Sequence, residues 1–468
     1  MRRTPPRGAS LPSLSLGGRT SWLALAIVVG SGGTASAQTP EQFLEQDRID
    51  LTGRTSLTLG SGARAFGMGG AFLARADDAT AASWNPAGLS YLRVPEVSLA
   101  GASTFYKTEK GTEPDLDTDR FEGKSIDFAA LTWPLRFHGL SGAIQASFQR
   151  AVPFGGSLTT VRPRAPGQEP VLSTGEASGG FDVFAFGTGW RVTRTLRTGI
   201  TVNRWFNGYT QSLEKTAAAD FTRPRVFDSD YGLRGWNVNL GAIWSPIEQV
   251  NLGAVFKTPF SGEVRLVKTR TDFPLGGSSV ANTYRSDAVR LEFPASFGFG
   301  TSWRPRSALT LSADFTRTFW SRARIINYFT LPYVVPPTPF SPTTYAPLPY
   351  PALNQSQGDS DQVRTGVEYV VIAGRLKVPL RAGYFNDEQV VLGVGGSAPR
   401  FNGFTAGIGI ILGPILFDVA YLHESGRFVE TVASEATADL PAATSQVRTS
   451  LRTERFFVSL IYRIGGSN

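Results

Sequence analysis

Trp236-Asn-Val-Asn-Leu-Gly-Ala-Ile-Trp244, followed after a short Pro246-bearing turn by Val250-Asn-Leu-Gly-Ala-Val-Phe256, decides the architecture of this chain. Trp236, Val238, Leu240, Ala242 and Trp244 alternate with Asn237, Asn239 and Gly241, and Val250, Leu252, Ala254 and Phe256 alternate with Asn251, Gly253 and Lys257. A period of two sends successive side chains to opposite sheet faces, so each run is a strand with one apolar face. Two such runs joined by a tight turn form a hairpin with one side for lipid and one for a lumen.

Working outward, the same alternation predicts strands near 96–106, 125–134, 139–150, 180–190, 196–206, 233–245, 249–258, 292–303, 308–319, 362–372, 376–385, 403–412, 415–423 and 455–464. That is about fourteen, an even number as bacterial barrels have. The turns after every second strand are a few residues long and the other connections much longer, the pattern of periplasmic turns and extracellular loops. Trp133, Trp190, Trp205, Trp303 and Trp320 stand at strand ends, where aromatic belts belong. The expected fold is therefore all-β, a 14-stranded antiparallel transmembrane barrel over 93–468, rather than a soluble sandwich or propeller.

Residues 1–37 read as an export signal. Arg2, Arg3, Arg7 and Arg19 precede the apolar run Trp22–Val29, and Ala35-Ser36-Ala37 offers a cleavage site that would leave Gln38 first. No later apolar run approaches the ~18 residues of a membrane-crossing helix, so any membrane crossing must use strands. A mean hydropathy of -0.09 fits alternating lipid-facing and lumen-facing residues. The formal charge of +8 includes the four signal arginines, and the remaining Lys and Arg are scattered among acids, so no nucleic-acid partner is expected. Zero cysteines exclude disulfides and thiolate metal sites.

Residues 62–92, with Gly62-Ala-Arg-Ala-Phe66-Gly-Met68-Gly-Gly70-Ala-Phe72, then Ala76-Asp-Asp-Ala-Thr80 and Trp84-Asn85-Pro86-Ala87-Gly88-Leu89, resemble the N-terminal hatch of the FadL/TodX family of outer-membrane transporters of long-chain fatty acids and other hydrophobic compounds. Leu291-Glu-Phe-Pro-Ala-Ser296, Phe319-Trp320-Ser321 and Pro379-Leu-Arg-Ala-Gly-Tyr384 extend the resemblance along the chain. It implies a hatch over 38–92 inside the barrel, with Asn85, Pro86, Ala87 and Gly88 at the wall. Phe66, Met68 and Phe72 give that hatch an apolar side. It also implies passive uptake of long-chain fatty acids or similar ligands by a monomer among outer-membrane lipids, without cofactor or metal. The C-terminus departs from the usual barrel ending, since Gly-Gly-Ser-Asn follows Ile464.

Ser147–Gly156 matches the place where the family's third strand kinks inward. Pro153 lacks an N–H and Gly155 packs nothing, so pairing around Pro153, Phe154 and Gly155 is expected either to fail, opening the wall for lateral release, or merely to begin a loop. A ligand carboxylate would need a lumen arginine, and Arg364 and Arg381 lie on the expected inward faces; Arg381 could equally pair with Glu368. The stretch 322–360 interleaves aromatics with prolines and reads as a stiff surface loop or a collector of apolar ligand.

Other motifs carry less. Gly60–Ala65 lacks a surrounding βαβ unit, Gly123-Lys124-Ser125 lacks the upstream phosphate-loop glycine, and Asp115, Asp117 and Asp119 lack the later calcium-loop ligands and read as a solvated loop. His138 and His423 fall at opposite rims, against a shared hydrolytic site. The alternative function is a non-transporting interaction protein, a secretion-shuttle barrel with a similar plug.

Overall fold

The computed structural model describes residues 60–112, 115–162, 171–216, 225–272, 279–326, 358–389, 398–433 and 444–465. The export signal, hatch residues 38–59 and most of the proline-rich stretch, 327–357, lie outside the described residues.

Nineteen strand segments form one antiparallel sheet. Five staves are each broken once, so the wall has fourteen. They are β1 (Glu96–Thr112), β2 (Asp115–Phe137), β3 (Leu140–Pro153, then Gly156–Arg162), β4 (Val171–Arg191), β5 (Leu196–Phe206, then Gly208–Thr216), β6 (Arg225–Ile247) and β7 (Val250–Lys257, then Phe260–Asp272). The rest are β8 (Val280–Phe293, then Ser296–Arg306), β9 (Leu309–Thr318, then Arg324–Ile326), β10 (Ser360–Ala373), β11 (Leu376–Glu388), β12 (Arg400–Leu412), β13 (Ile415–Ala433) and β14 (Thr444–Arg463). β14 pairs back on β1, from Glu96 opposite Arg463 to Lys110 opposite Thr449, which closes the ring and removes both edges. Arg463 Nε donates to Glu96 Oε1 at 2.9 Å across this seam.

Side-chain direction inverts the pattern of a soluble protein. Leu99, Trp133, Phe186, Trp236, Phe299 and Phe404 point outward and are 50–62% exposed, while inward-facing Gln145, Thr201, Ser312, Arg364, Glu368 and Thr449 are buried. An exposed apolar belt around a polar interior is what strand alternation produces when the solvent outside is hydrocarbon.

The strands outrun the expected ten-residue segments: β2 and β6 span 23 residues each. Much of what alternation assigned to long loops is ladder, because strand beyond the exposed apolar belt carries no apolar period to read. The region around Asp115, Asp117 and Asp119 is corrected in this way. Asp117 and Asp119 sit in the β1–β2 ladder opposite Lys110 and Thr108, not in a calcium or solvated loop. Gly123-Lys124-Ser125 lies in the same strand.

Candidate functional site

Residues 60–92 fill the lumen near the short turns. Three glycines shape this hatch: Gly62, Gly69 and Gly70 have φ of 103°, 68° and 78°, a left-handed region that suits glycine. They bracket α1 (Ala63–Gly67), and a second short helix, α2 (Ala81–Trp84), leads into a 3-10 turn, Pro86–Tyr91. Asn85 joins the two. Its Oδ1 accepts from Ala87 N at 3.2 Å, with Pro86 at the first position of the turn, where its missing N–H costs nothing. Its Nδ2 donates to Leu73 O at 2.8 Å and to the wall carbonyls of Ala242 at 3.1 Å and Ala254 at 3.3 Å.

The wall meets this segment with glycine. A Cβ on Gly383 would lie 2.2 Å from Gly69 N, one on Gly366 2.4 Å from Met68 O, and one on Gly241 2.1 Å from Asn85 Oδ1. At Gly383 and Gly366 backbone therefore packs directly on backbone, at Gly241 on the Asn85 side chain, and Gly88 meets backbone within the hatch, 1.7 Å from Ala76 O by the same measure. Phe66 stacks on Phe457 of β14 at 4.1 Å, and Phe66 and Phe72 both meet Trp84 edge-on. Met68, Phe72 and Ala87 have no exposed surface.

Polar groups finish the fit. Asp314 Oδ2 accepts from Phe72 N at 2.6 Å and Leu73 N at 2.8 Å, and Thr405 Oγ1 accepts from Gly69 N at 2.9 Å while donating to Gly67 O at 3.1 Å. Glu368 gathers three arginines: Arg381 at 2.7 Å, Arg64 at 3.5 Å and Arg75. Arg381 also reaches Asp418 at 2.6 Å, and Arg64 reaches Asp77 at 2.7 Å and Asp78 at 3.1 Å. Burial alone would raise the Asp77 carboxyl, but Arg64 and Arg75 outweigh it and hold that group below its ordinary value. Arg364 is paired with Asp387 and donates to Gly69 O at 2.9 Å. Both expected lumen arginines thus contact protein carboxylates, and Arg364 also holds the hatch. Asp314 and Thr405 were legible only as polar residues at inward parity; nothing in their neighbours marks them as hatch clamps.

Farther from the short turns the β2–β3 pairing is interrupted, although Gly155 O still lies against Gly123, 2.2 Å from a Cβ placed there. The β2–β3 ladder runs from Phe137 opposite Leu140 to Phe128 opposite Gln149, then resumes at Glu122 opposite Ser157. Five residues of β2 face seven of β3 in between. The parting is one-sided, since β3 stays on β4 through Pro153 opposite Gly180 and Phe154 N donating to Gly179 O at 3.2 Å. Pro153 supplies no donor toward β2, and Gly155 has space, with nothing nearer than 3.7 Å to a Cβ placed there. Phe154 turns inward, stacking on Tyr209 at 3.9 Å and meeting Phe181 edge-on at 5.3 Å. Arg150, beside the parting, is turned to Asp182 at 2.9 Å.

Four more staves break at about this level: β5 at Asn207, β7 at Thr258-Pro259, β8 at Pro294-Ala295 and β9 at Phe319–Ala323. Each break is flanked by an inward aromatic. Trp205 stacks on Phe260 at 5.1 Å, Phe260 on Phe293 at 4.5 Å and Tyr209 on Tyr231 at 4.5 Å, and Trp320 joins the same buried cluster. Trp205 and Trp320 therefore do not serve the outer aromatic belt expected from sequence, unlike exposed Trp133 and Trp303. For Trp205 the signal was available, because it has the opposite parity to outward Ile200 and Val202. A cavity of about 650 Å³ adjoins the cluster, lined by Tyr209, Tyr231, Leu233, Val264, Asp230 and Arg265 among others. His138 stands in the β2–β3 turn and His423 on β13, 3.9 Å from Glu454.

No protein-family model and no curated protein matches the sequence. Solved structures do match. A Pseudomonas aeruginosa FadL homologue aligns with a TM-score of 0.58 at 11% identity, over 86% of this chain and 98% of that one. The Pseudomonas putida toluene transporter TodX aligns at 0.52 and 15%, over 86% and 98%, and the CymD monoaromatic hydrocarbon channel at 0.51 and 13%, over 86% and 98%. Fourteen staves closed around a buried N-terminal segment thus give this chain the fold of the FadL and TodX channels.

Proposed function

We propose that this chain is an outer-membrane channel of the FadL/TodX family that admits hydrophobic compounds passively, long-chain fatty acids among them, and releases them sideways. Residues 1–37 direct export, 38–92 form the hatch and 93–468 the barrel, which works as a monomer. The observation that carries the reading is the parted β2–β3 ladder at Arg150–Gly156, beside the aromatic cluster. An alkyl chain gains ~0.8 kcal/mol per buried CH₂, so the aromatic cluster in the otherwise polar lumen extracts it from water without an energy source, and a gap in the wall returns it to membrane beneath the polar outer leaflet. In this reading Arg364 and Arg381 serve the hatch, because a ligand carboxylate would have to displace Asp387, Glu368 or Asp418. If instead Arg381 does meet a carboxylate, Arg381→Ala weakens fatty-acid binding more than binding of the matching alcohol.

The test is Pro153→Val with Gly155→Thr, which restores a donor and β propensity where the ladder parts. Uptake of a labelled fatty acid or toluene by cells is expected to fall while binding to the purified protein survives. Unchanged uptake by a normally inserted variant rejects lateral release here. A co-purifying exported protein in place of lipid favours the interaction-protein alternative.

A further inference from the structure

We infer that Trp320 determines ligand specificity, its indole N–H selecting uncharged apolar ligands that carry a hydrogen-bond acceptor, such as an ester, ketone or ether, over plain hydrocarbons. This rests on the channel reading above. Trp320 is 2% exposed within the aromatic cluster, and its Nε1 has no hydrogen-bond partner among the described residues. Indole nitrogen is a donor only, and buried donors are nearly always paired. The other fully or nearly buried indoles obey that rule: Trp205 Nε1 donates to Asn237 Oδ1 and Trp84 Nε1 to Ser61 O, each at 2.8 Å.

Local structure explains why no acceptor arrives. Trp320 opens the 3-10 turn Trp320–Arg322 that interrupts β9, and that turn uses its own carbonyls, with Arg322 N donating to Phe319 O at 3.0 Å and Ala323 N to Trp320 O at 2.9 Å. Leu291, Phe293 and Ala323 of the same cluster bring no side-chain acceptor. Arg322 is exposed and lies over Phe319 at 5.1 Å, so its charge is not directed into the cluster. A neutral donor beside the apolar Leu291, Phe293 and Ala323 suits a carbonyl or ether oxygen. It cannot offset the desolvation of a carboxylate.

The experiment compares methyl octanoate with undecane, matched in size, for binding to the full detergent-solubilised chain and to Trp320→Phe, which keeps an aromatic ring and removes the donor. The parent is expected to bind the ester about five- to tenfold tighter than Trp320→Phe does, as one net hydrogen bond allows, with undecane unchanged. Trp205→Phe, which removes a paired N–H, is expected to show no ester-selective loss. Should Trp320→Phe fail to fold, the carbonyl stretch of the ester bound to the parent decides, because a hydrogen bond lowers its frequency. Equal changes for both ligands, no change for either, or an unshifted carbonyl overturn the inference. A parent that binds fatty acid or toluene but neither probe also overturns the inference, whereas failure to bind any of the four overturns the channel reading instead.

Discussion

Around the hatch, the wall contributes glycines, hydroxyls and carboxylates, and the space between staves is filled by the backbone of another segment. At the level of the strand breaks, the wall contributes aromatics, and they pack on one another. The first arrangement is directional: Asp314, Thr405 and Asn85 each serve named backbone groups at 2.6–3.3 Å. The second is held by ring contacts at 3.9–6.0 Å, which tolerate rotation and sliding. Low directionality beside a parted ladder suits a passage that must rearrange, and high directionality suits a seal.

The sharpest way to break this contrast is to enlarge a wall glycine. Gly383→Val places carbon against Gly69 N and Met68 C, both backbone, so relief requires moving the hatch, at more than the roughly 1–3 kcal/mol usual for overpacking. Planar-bilayer conductance is expected to rise towards that of a chain lacking 38–88, with strand content intact; parent-like conductance in both would assign the seal to loops. Phe154→Ala comes next, with a stability loss of about 3 kcal/mol from its stack and cavity, seen in thermal melts, yet little added conductance because the hatch remains. A conductance rise equal to that of Gly383→Val would make the aromatic cluster a seal as well.

Smaller effects sharpen the directional side. Asp314→Ala strands two buried amides and is expected to cost about 2 kcal/mol or somewhat more, read as faster hydrogen exchange at Phe72 and Leu73 with Gly69 unaffected. Thr405→Val is expected to cost about 1 kcal/mol and to speed exchange at Gly69 only modestly, because Gly69 N also donates to Phe66 O at 3.0 Å. If either substitution accelerates exchange across the whole hatch, the clamps act collectively and the segment opens as one unit.

Alternation along Trp236–Trp244 and its neighbours was enough to read the number of staves and which turns are short, because lipid on one face leaves a period of two that no loop imitates. The hatch was legible through glycine spacing and the Asn85-Pro86 turn. What stayed hidden depends on contacts across the lumen. Wall glycines such as Gly366 and Gly383 look like gaps until the segment that occupies them is in place. Trp320 looks like a belt residue until the 3-10 turn reverses its direction, and the strand beyond the exposed apolar belt leaves no trace of its ladder in the order of residues.

Asn85 and its neighbours also bear on the timing of assembly. The hatch precedes the whole wall in the chain, yet its partners are distributed around the ring: Gln145 on β3, Ala242 on β6, Asp314 on β9, Thr405 on β12 and Phe457 on β14. Gly69 waits 336 residues for Thr405, and Arg75 waits 293 for Glu368. Contacts so distant in sequence form late and slowly. A segment made before the wall is thus among the last to be satisfied, because its full set of partners exists only once β14 has been made and paired with β1.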